Sequence, residues 1–370
     1  MDLIGRAVWS GKVESHNEWD PLEEVIVGDV AGAMRPAWNV INQETLPSFA
    51  IDAMAAMAAT AGTPFESGTI EAATRALTRF VALLESEGVQ VRRPDVLHHS
   101  SPYATPGWSV ANGYCAANPR DVFLVVGNEI IEAAMPDRGR QFEAWPYRRL
   151  LTEYFRNGAR WSAAPKPRLL DELYQTVELS VETGPPLRYV TSECEPVFDA
   201  ADFVRCGRDI IAQRSHVTNE LGIAWLERHL GPEFRVHRVN TRCREPMHID
   251  TTLMPLAPGK LLINPEFLDP RQIPHAFRNW DVLEAPRLVA RFAAERGRAV
   301  VSDWMSMNVL MLDETRVVVE ASQEPLIQAL RRWGFCPLLC AFEDFYPFAG
   351  SFHCATLDVR RRGCLESYTC

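Results

Sequence analysis

The chain has 370 residues, of which 47% are hydrophobic and 23% are charged. This is ordinary globular usage, and it excludes a small stapled scaffold and a disordered chain. Lys and Arg number 38 against 48 Asp and Glu, for a formal net charge of −10. Binding to phosphate backbones needs clustered positive charge, and a membrane helix needs about 18 or more apolar residues in a row. We therefore expect no nucleic-acid partner and no membrane span.

Nine cysteines are scattered through the sequence, without a Cys-x-x-Cys pair. A secreted disulfide framework normally has an even, patterned set of cysteines. The sequence starts without a positively charged leader and apolar run, which is the pattern of a signal peptide. These features predict reduced thiols and a cytoplasmic location, with one thiol set apart for chemistry.

One supersecondary unit repeats along the chain: two short strands joined by a turn, a helix, and a third strand. In chain order the predicted strands are 24–28, 89–93, 122–126, 129–133, 160–162, 202–205, 210–213, 234–239, 248–254, 260–263, 280–283, 308–312, 316–320, 335–339 and 353–359. The predicted helices are 69–86, 145–155, 218–230 with Thr218 as N-cap, a less defined one before 280, and 325–333. Segment 41–68 reads as a loop with a short helix.

The fifth copy of the unit exists only if strand 353–359 pairs with strand 24–28, which joins the two ends of the chain. Five such copies, closed in this way, predict an α/β fold in which ββαβ modules form a ring or propeller. The alternative is an open α/β sheet with decorated hairpins. Because no low-complexity linker divides the chain, we expect one domain over residues 1–370.

Polar side chains recur where each module begins its first strand. They are Asp121, Asp199 and Asp202, His248 and Asp250, Ser302 and Ser306, and Cys354. Equivalent positions in a ring of modules meet near its axis, so these groups are predicted to face one cavity. A thiol, an imidazole and several carboxylates around one pocket form a constellation for nucleophilic catalysis.

Cys354 is the candidate nucleophile; the alternative is a buried, inert cysteine. His248 is the candidate proton carrier, since imidazole titrates near neutral pH, and the alternative is a core histidine. On a strand, positions 248 and 250 share a face and position 353 points away from 354. We therefore expect Asp250 to project beside His248, and His353 to be structural.

Three carboxylates complete the predicted site. Asp199 is placed to orient His248 by a hydrogen bond, with an ordinary cap or turn residue as the alternative. Asp121 and Asp250 are candidates for holding a planar cation, because a guanidinium presents paired N–H donors that match carboxylates. The sequence contains no dinucleotide or Walker motif, and Cys336 and Cys340 lack the second pair of a zinc site.

Several segments resemble the arginine:glycine and inosamine-phosphate amidinotransferases. They are 15–28, 119–129, Phe198-Asp-Ala-Ala-Asp-Phe203, Met247-His-Ile-Asp250, 306–313 and Phe352-His-Cys354. The matches run in order through almost the whole chain. The resemblance implies a five-bladed α/β propeller of the guanidine-modifying enzymes, and it favours the bacterial natural-product branch of the family. Members commonly pair as homodimers, so a homodimer is an expectation.

The resemblance also implies roles for individual residues. The amidino-accepting cysteine falls on Cys354, the proton-shuttling histidine on His248 and its carboxylate partner on Asp199. The guanidinium-binding aspartates fall on Asp121 and Asp250, the donor-contacting serine on Ser302, and a gate over the substrate on Met247 and Glu245. The implied reaction is a ping-pong transfer from L-arginine through an amidino-cysteine to a primary amine, with release of ornithine and no metal or organic cofactor.

Two departures from the family pattern concern the substrates. Glu245 stands where glycine-using members have asparagine, and a donor-anchoring Asn-Pro-x-Arg motif reads Asn264-Pro-Glu-Phe267, which leaves Arg271 as a substitute anchor. The departures argue against glycine, and Glu245 predicts an acceptor with a second positive charge, such as a lysine-like or polyamine-like amine. Two rival functions are arginine hydrolysis on the same fold and non-catalytic guanidine binding.

Overall fold

The computed structural model describes residues 12–46, 51–178, 185–287, 289 and 302–369. Its strands are β1 (Leu22–Val27), β2 (Gln90–Arg92), β3 (Tyr103–Ala104), β4 (Ser109–Val110), β5 (Phe123–Val126), β6 (Glu129–Glu132), β7 (Arg160–Ala163), β8 (Phe203–Cys206), β9 (Asp209–Gln213), β10 (Arg235–Val239), β11 (Leu253–Ala257), β12 (Lys260–Ile263), β13 (Asp281–Glu284), β14 (Leu310–Met311), β15 (Arg316–Glu320), β16 (Cys336–Cys340) and β17 (Thr356–Arg361). The α-helices are α1 (Val40–Glu44), α2 (Ile51–Thr60), α3 (Ser67–Ser86), α4 (Pro119–Val122), α5 (Arg148–Arg156), α6 (Glu220–Leu230) and α7 (Glu324–Arg332).

These strands form small sheets with one recurring topology. Five sheets have three strands each, in the orders β5-β6-β7, β8-β9-β10, β11-β12-β13, β14-β15-β16 and β17-β1-β2, and β3 pairs with β4. In each three-stranded sheet the first two strands are antiparallel and the third is parallel to the middle one. The predicted repeat is confirmed, and the alternative of one open sheet is wrong.

The pairing of the chain's two ends is confirmed as well. Strand β17 is antiparallel to β1, with Val25 opposite Asp358 and Val27 opposite Thr356. The predicted hairpin turn at Gly127 has φ +59° and the one at Gly207 has φ +68°. Glycine adopts this left-handed conformation at no steric cost, which suits the tight hairpins of the modules.

Two helix predictions need correction. The N-cap of α6 is Asn219, whose side chain accepts from the Gly222 N–H at 2.8 Å. The predicted cap, Thr218, instead donates its hydroxyl hydrogen to Asp202. The helix predicted before residue 280 is absent from the described residues, where the chain forms two short 3₁₀ turns, Pro270–Gln272 and His275–Phe277. Segment 41–68 contains α1 and α2, so it is more helical than predicted.

Apolar clusters join neighbouring sheets in sequence. Ile26 of β1 packs in one cluster with Phe123 of β5, and Leu124 of β5 packs in another with Phe203 of β8. A third cluster joins sheets β8-β9-β10, β11-β12-β13 and β14-β15-β16. Val318 of β15 packs with residues of β1. Each sheet therefore packs on the next, and the last packs on the first. Among the described residues, none of the helices combines the length and apolarity needed to cross a membrane.

Candidate active site

The chemistry-bearing side chains share one local setting. A short helical turn stands directly before the first strand of four sheets, and a turn precedes β17 in the fifth. The turns are α4 before β5, Ala200–Asp202 before β8, Ile249–Thr251 before β11, Met305–Met307 before β14, and the turn at residues 352–355 before β17. The predicted polar positions therefore lie on or before these turns and not on the strands.

Three of the turns bring their functional groups together. The Cys354 thiol, a ring nitrogen of His248 and a carboxylate oxygen of Asp121 all lie within 4.8 Å of one another, and all three residues are buried. They come from three different modules and are far apart in the sequence. The structure therefore brings these three predicted residues together. Thiolate, imidazole and carboxylate are also the donor types that would suit a thiophilic divalent cation.

His248 is held between two carboxylates. Its Nε2 lies 3.1 Å from Asp199 Oδ2 and its Nδ1 lies 3.6 Å from Asp121 Oδ1. Burial opposes its protonation, but Asp121 and Asp199 together raise the pKa of His248 to about 10. The imidazole is therefore protonated at neutral pH, which is the state in which it can donate a proton.

The backbone at His248 corrects the strand-based argument. His248 has φ +62° and ψ +140° and precedes the 3₁₀ turn Ile249–Thr251, so it is not on a strand. The turn directs His248 toward Asp199 and Asp250 toward Cys354. The two side chains still meet the same site, although not because they share a face of a strand. A non-glycine residue with positive φ is strained, and such strain persists at functional sites where neighbours fix it.

The Cys354 thiol is fixed by Asn308, which sequence reasoning did not single out. Asn308 Nδ2 donates to Cys354 Sγ at 2.9 Å and to Asp250 Oδ2 at 2.5 Å, and Asn308 Oδ1 accepts from the Cys354 N–H at 3.0 Å. The thiol itself donates to Asp250 Oδ2 at 3.1 Å. Burial, followed by the charges of Asp250 and Asp121, raises the pKa of the thiol well above its ordinary value. The sequence signal for Asn308 was its place at the start of a first strand.

His353 was predicted to point away from the site, and this is wrong. Residues 352–355 form a turn before β17, so the alternation of a strand does not apply. His353 Nδ1 lies 3.1 Å from Asp250 Oδ2, and its Nε2 lies 3.4 Å from Glu18 Oε2. Although burial opposes ionisation, the hydrogen bond from His353 lowers the pKa of Asp250. His353 thus keeps Asp250 charged beside the thiol.

Arg140 is a second residue that the sequence did not reveal. Its guanidinium is buried and donates to Asp121 Oδ2 at 2.9 Å, to Asp199 Oδ2 at 3.3 Å and to Glu143 Oε2 at 2.8 Å. Burial raises the pKa of Glu143 to about 7 despite this contact. Arg140 fixes the two carboxylates that flank His248, because a planar guanidinium can donate to several of them at once.

A buried ionic network lies beneath the site. Arg205 donates to Glu18 at 2.8 Å and to Asp358 at 2.6 Å, and Arg120 donates to Asp358 at 2.7 Å. All four residues are at most 3% exposed. Glu18 also contacts His353, so the network supports the turn that carries the thiol. Nothing in the local sequence distinguishes these charges from surface ones.

Close packing explains the glycine at position 350, four residues before Cys354. A Cβ at this position would stand 2.4 Å from Asn118 Oδ1 and 2.9 Å from the Cys354 Cβ. Only glycine fits there.

The remaining predicted site residues are placed as follows. The Ser302 hydroxyl accepts from the Trp304 N–H at 3.2 Å, and its contact with a donor stays a prediction. Met247 packs on a small apolar cluster that contains Val217, and Glu245 is partly exposed; their role as a gate also stays a prediction.

Phe267, at the anchor position of the family motif, and Arg271, its candidate substitute, both contact other residues of the chain. Phe267 packs on the apolar cluster that joins sheets β8-β9-β10, β11-β12-β13 and β14-β15-β16. The Arg271 side chain is 88% exposed and donates to Asp269 at 2.6 Å. What binds the carboxylate of a donor is therefore not assigned by these contacts.

Comparison with known proteins identifies relatives over the whole length. The chain is 48% identical over 372 residues to the L-arginine:L-lysine amidinotransferase of Pseudomonas savastanoi pv. phaseolicola, covering 100% of this chain and 99% of that one. It is 42% identical over 363 residues to the mitochondrial glycine amidinotransferase of Gallus gallus, covering 96% and 84%. A comparison with protein-family models found no match.

Solved structures agree with these relatives. SxtG, an amidinotransferase of the saxitoxin biosynthetic pathway in Microseira wollei, matches with a TM-score of 0.88 and 55% identity, covering 96% of this chain and 99% of that one. The inosamine-phosphate amidinotransferase StrB1 of Streptomyces griseus matches with a TM-score of 0.86 and 37% identity, over the same shares. A dimethylarginine dimethylaminohydrolase, with a TM-score of 0.52 and 14% identity, shows likeness of fold alone.

The chain belongs to the amidinotransferase family. It is therefore an enzyme of the transferase class, built on the α/β fold with small sheets that its structural neighbours share.

Proposed function

We propose that the enzyme transfers the amidino group of L-arginine to a primary amine through a covalent amidino-cysteine at Cys354. The observation that carries this proposal is the convergence of Cys354, His248 and Asp121 within 4.8 Å. The relative that is 48% identical over its whole length is named for arginine as donor, which supports the same donor here.

In the donor half-reaction the guanidinium of arginine lies between Asp121 and Asp250. The Cys354 thiolate attacks the guanidinium carbon, and His248 protonates the nitrogen that becomes the amine of ornithine. The bond between that nitrogen and the carbon then breaks. Ornithine leaves, and the amidino group stays on sulfur with His248 neutral.

In the acceptor half-reaction the acceptor, whose ammonium group has lost one proton to solvent, enters the same pocket as a free amine. Its nitrogen attacks the amidino carbon and gives a second proton to His248, and the carbon–sulfur bond breaks. The product carries the amidino group, while Cys354 returns as thiolate and His248 as imidazolium. Asp199 holds the ring of His248 in one orientation through both half-reactions.

Substrate binding supplies the thiolate. In the free site, Asp250 and Asp121 raise the pKa of the Cys354 thiol, because their negative charges oppose a third one. An arginine guanidinium between them offsets that charge, so the thiol loses its proton to solvent as arginine binds. The nucleophile is then activated by the cation that it attacks, and arginine binding is accompanied by proton release.

The acceptor that we propose carries a second positive charge, as lysine and polyamines do. Two observations support this class: Glu245 lies three residues before His248, and the full-length relative is named for lysine as acceptor. A panel of primary amines with labelled arginine tests it. Lysine-like amines are expected to exceed glycine in kcat/KM, and equal use of glycine would contradict the proposal.

The covalent step is tested with arginine alone. The wild-type enzyme is expected to release ornithine stoichiometrically and to gain one amidino group on the peptide that contains Cys354. Cys354→Ser should do neither, whereas Cys364→Ser, a change at an exposed cysteine, should behave as wild type. Citrulline in place of ornithine would point to hydrolysis, and an unmodified enzyme that only binds arginine would refute catalysis by Cys354.

We also propose that the five sheets are the blades of a propeller in one domain, which the cyclic packing of their apolar clusters supports. The eight described cysteines are free thiols, which supports a reducing, cytoplasmic compartment. The homodimer stays a prediction.

A further inference from the structure

Asp202 is a fully buried carboxylate next to the site, and it is surrounded by hydrogen-bond donors. It ends the 3₁₀ turn Ala200–Asp202 that follows Asp199, and its relative exposure is 0%. Its Oδ2 accepts from the Ser215 hydroxyl at 2.6 Å and from the Thr218 hydroxyl at 2.5 Å, and its Oδ1 accepts from Gln213 Nε2 at 3.4 Å.

The direction of these hydrogen bonds follows from the backbone. The Ser215 hydroxyl oxygen accepts from the Val217 N–H at 3.1 Å, and the Thr218 hydroxyl oxygen accepts from the Asp199 N–H at 3.2 Å. Each hydroxyl therefore turns its own O–H toward the carboxylate. An aspartate that receives three donors is satisfied in its ionised form, since a protonated carboxyl would bring a fourth hydrogen to the cluster.

Through these partners Asp202 is joined to both members of the His248–Asp199 pair. Thr218 accepts from the backbone N–H of Asp199, as described. Gln213 Nε2 donates to the carbonyl oxygen of His248 at 3.0 Å, and His248 is the residue whose backbone is strained at φ +62°. Asp202 thus supports, through its two hydrogen-bond donors, the backbone contacts that fix His248 and Asp199.

We propose that Asp202 is a positioning residue for the His248–Asp199 pair and that its negative charge keeps His248 protonated. The proposal rests on the proposed role of His248 as the proton carrier. It adds a residue that touches neither the thiol nor the expected position of the guanidinium.

The charges around His248 show how Asp202 contributes. Asp121 and Asp199 face the ring directly, Arg140 partly offsets both, and Asp202 adds to the negative potential. Burial raises the pKa of Asp202 to about 7, against the opposing effect of the His248 charge, so Asp202 is ionised at the alkaline pH at which His248, with a pKa of about 10, loses its proton. Loss of the Asp202 charge therefore removes one of three negative groups that favour imidazolium.

The test compares Asp202→Asn with Ser215→Ala. Asp202→Asn keeps the shape and removes the charge, whereas Ser215→Ala removes one hydrogen bond to the same oxygen and keeps the charge. The His248 ring is titrated by NMR in the free enzymes, and kcat/KM for arginine is measured against pH. Asp202→Asn is expected to lower the pKa of His248 by about one unit and to move the alkaline fall of kcat/KM to lower pH by the same amount. Ser215→Ala should leave the His248 titration unchanged.

The outcomes separate this inference from the proposed function. The NMR titration needs no amidino transfer, so a failed trapping experiment on Cys354 leaves it readable. An unshifted His248 titration in folded Asp202→Asn overturns the inference, even if arginine is turned over. If thermal melting shows that Asp202→Asn does not fold, Gln213→Met tests the positioning: we expect kcat to fall roughly tenfold without a shifted titration, and an unchanged kcat overturns the proposal.

Discussion

Replacing Asn308 by alanine removes the side chain that joins the thiol to Asp250. In the wild-type protein Asn308 makes three hydrogen bonds, to Cys354 Sγ at 2.9 Å, to Asp250 Oδ2 at 2.5 Å and from the Cys354 N–H at 3.0 Å. The first of these stabilises a thiolate more than a thiol, because an N–H donor strengthens as negative charge develops on its acceptor.

The magnitude follows from the two bonds to charged groups. A hydrogen bond to a charged group contributes about 1.5–3 kcal/mol. If half of the combined effect of the two bonds is realised only when the thiolate attacks, the barrier rises by about 1.5–3 kcal/mol, and each ~1.4 kcal/mol is a factor of ten in rate. Asn308→Ala should therefore lower kcat/KM for arginine by about 10- to 150-fold.

The assay is ornithine release from arginine at a saturating concentration of the best amine. Asn112→Ala is the matched control, since Asn112 is also buried and its side-chain amide donates to two backbone groups, the Arg35 carbonyl at 3.0 Å and the Gly113 carbonyl at 2.7 Å. The control should lose stability with a much smaller loss of kcat/KM. If folded Asn308→Ala kept kcat/KM within about threefold of wild type, a role of Asn308 in stabilising the thiolate would be refuted.

Three further predictions concern the charges of the site and its support. Because the pKa of His248 is raised to about 10, ornithine release should fall as the pH rises through about 10. The folding stability that this shift contributes is fully present below about pH 6.5 and is lost as the pH rises through about 10. A fall of ornithine release near pH 7 would contradict the prediction. Arg140→Lys should lower kcat/KM for arginine roughly tenfold or more, because a point charge cannot donate to three carboxylates as a fork does; a loss under threefold in steady-state kinetics would contradict it. Asp358→Asn should reduce the free energy of unfolding by about 3–5 kcal/mol in urea, because it removes the buried carboxylate charge that Arg205 and Arg120 share. Glu23→Gln, at a partly exposed pair, should change it by less than about 1 kcal/mol, and equal losses would contradict the argument.

The sequence predicted the repeat well because its signals are local and periodic. Short β-rich runs, glycine turns and amphipathic helices have strong preferences, so β5 and β6 with Gly127 between them were placed within one residue or so. The position of Cys354 and His248 at module starts then followed from the repeat. The missing helix after β12 shows the limit, since Pro270 and Pro274 break that segment into short turns.

What the sequence could not predict is the backbone between a module's start and its strand. The strand-based rule of alternating faces failed at His248 and His353 because both precede a strand in a turn. Asn308 and Arg140 were missed for a different reason: their roles exist only through contacts with residues about 20 to 60 positions away. Such contacts leave no periodic trace in a single sequence.

The two aspartates expected to hold the guanidinium have opposite electrostatic settings, and this asymmetry has a mechanistic consequence. Burial raises the pKa of Asp121 in spite of His248 and Arg140, whereas the contact with His353 lowers the pKa of Asp250 against its burial. The surroundings therefore favour the charged form of Asp250 more strongly than that of Asp121, and Asp250 also accepts the thiol's hydrogen bond. An incoming guanidinium that pairs with Asp250 takes over the role of that thiol hydrogen. In the proposed mechanism, recognition of the cation and release of the thiol proton then become one event at a single oxygen, while Asp121 serves chiefly to hold the imidazolium that protonates the leaving amine.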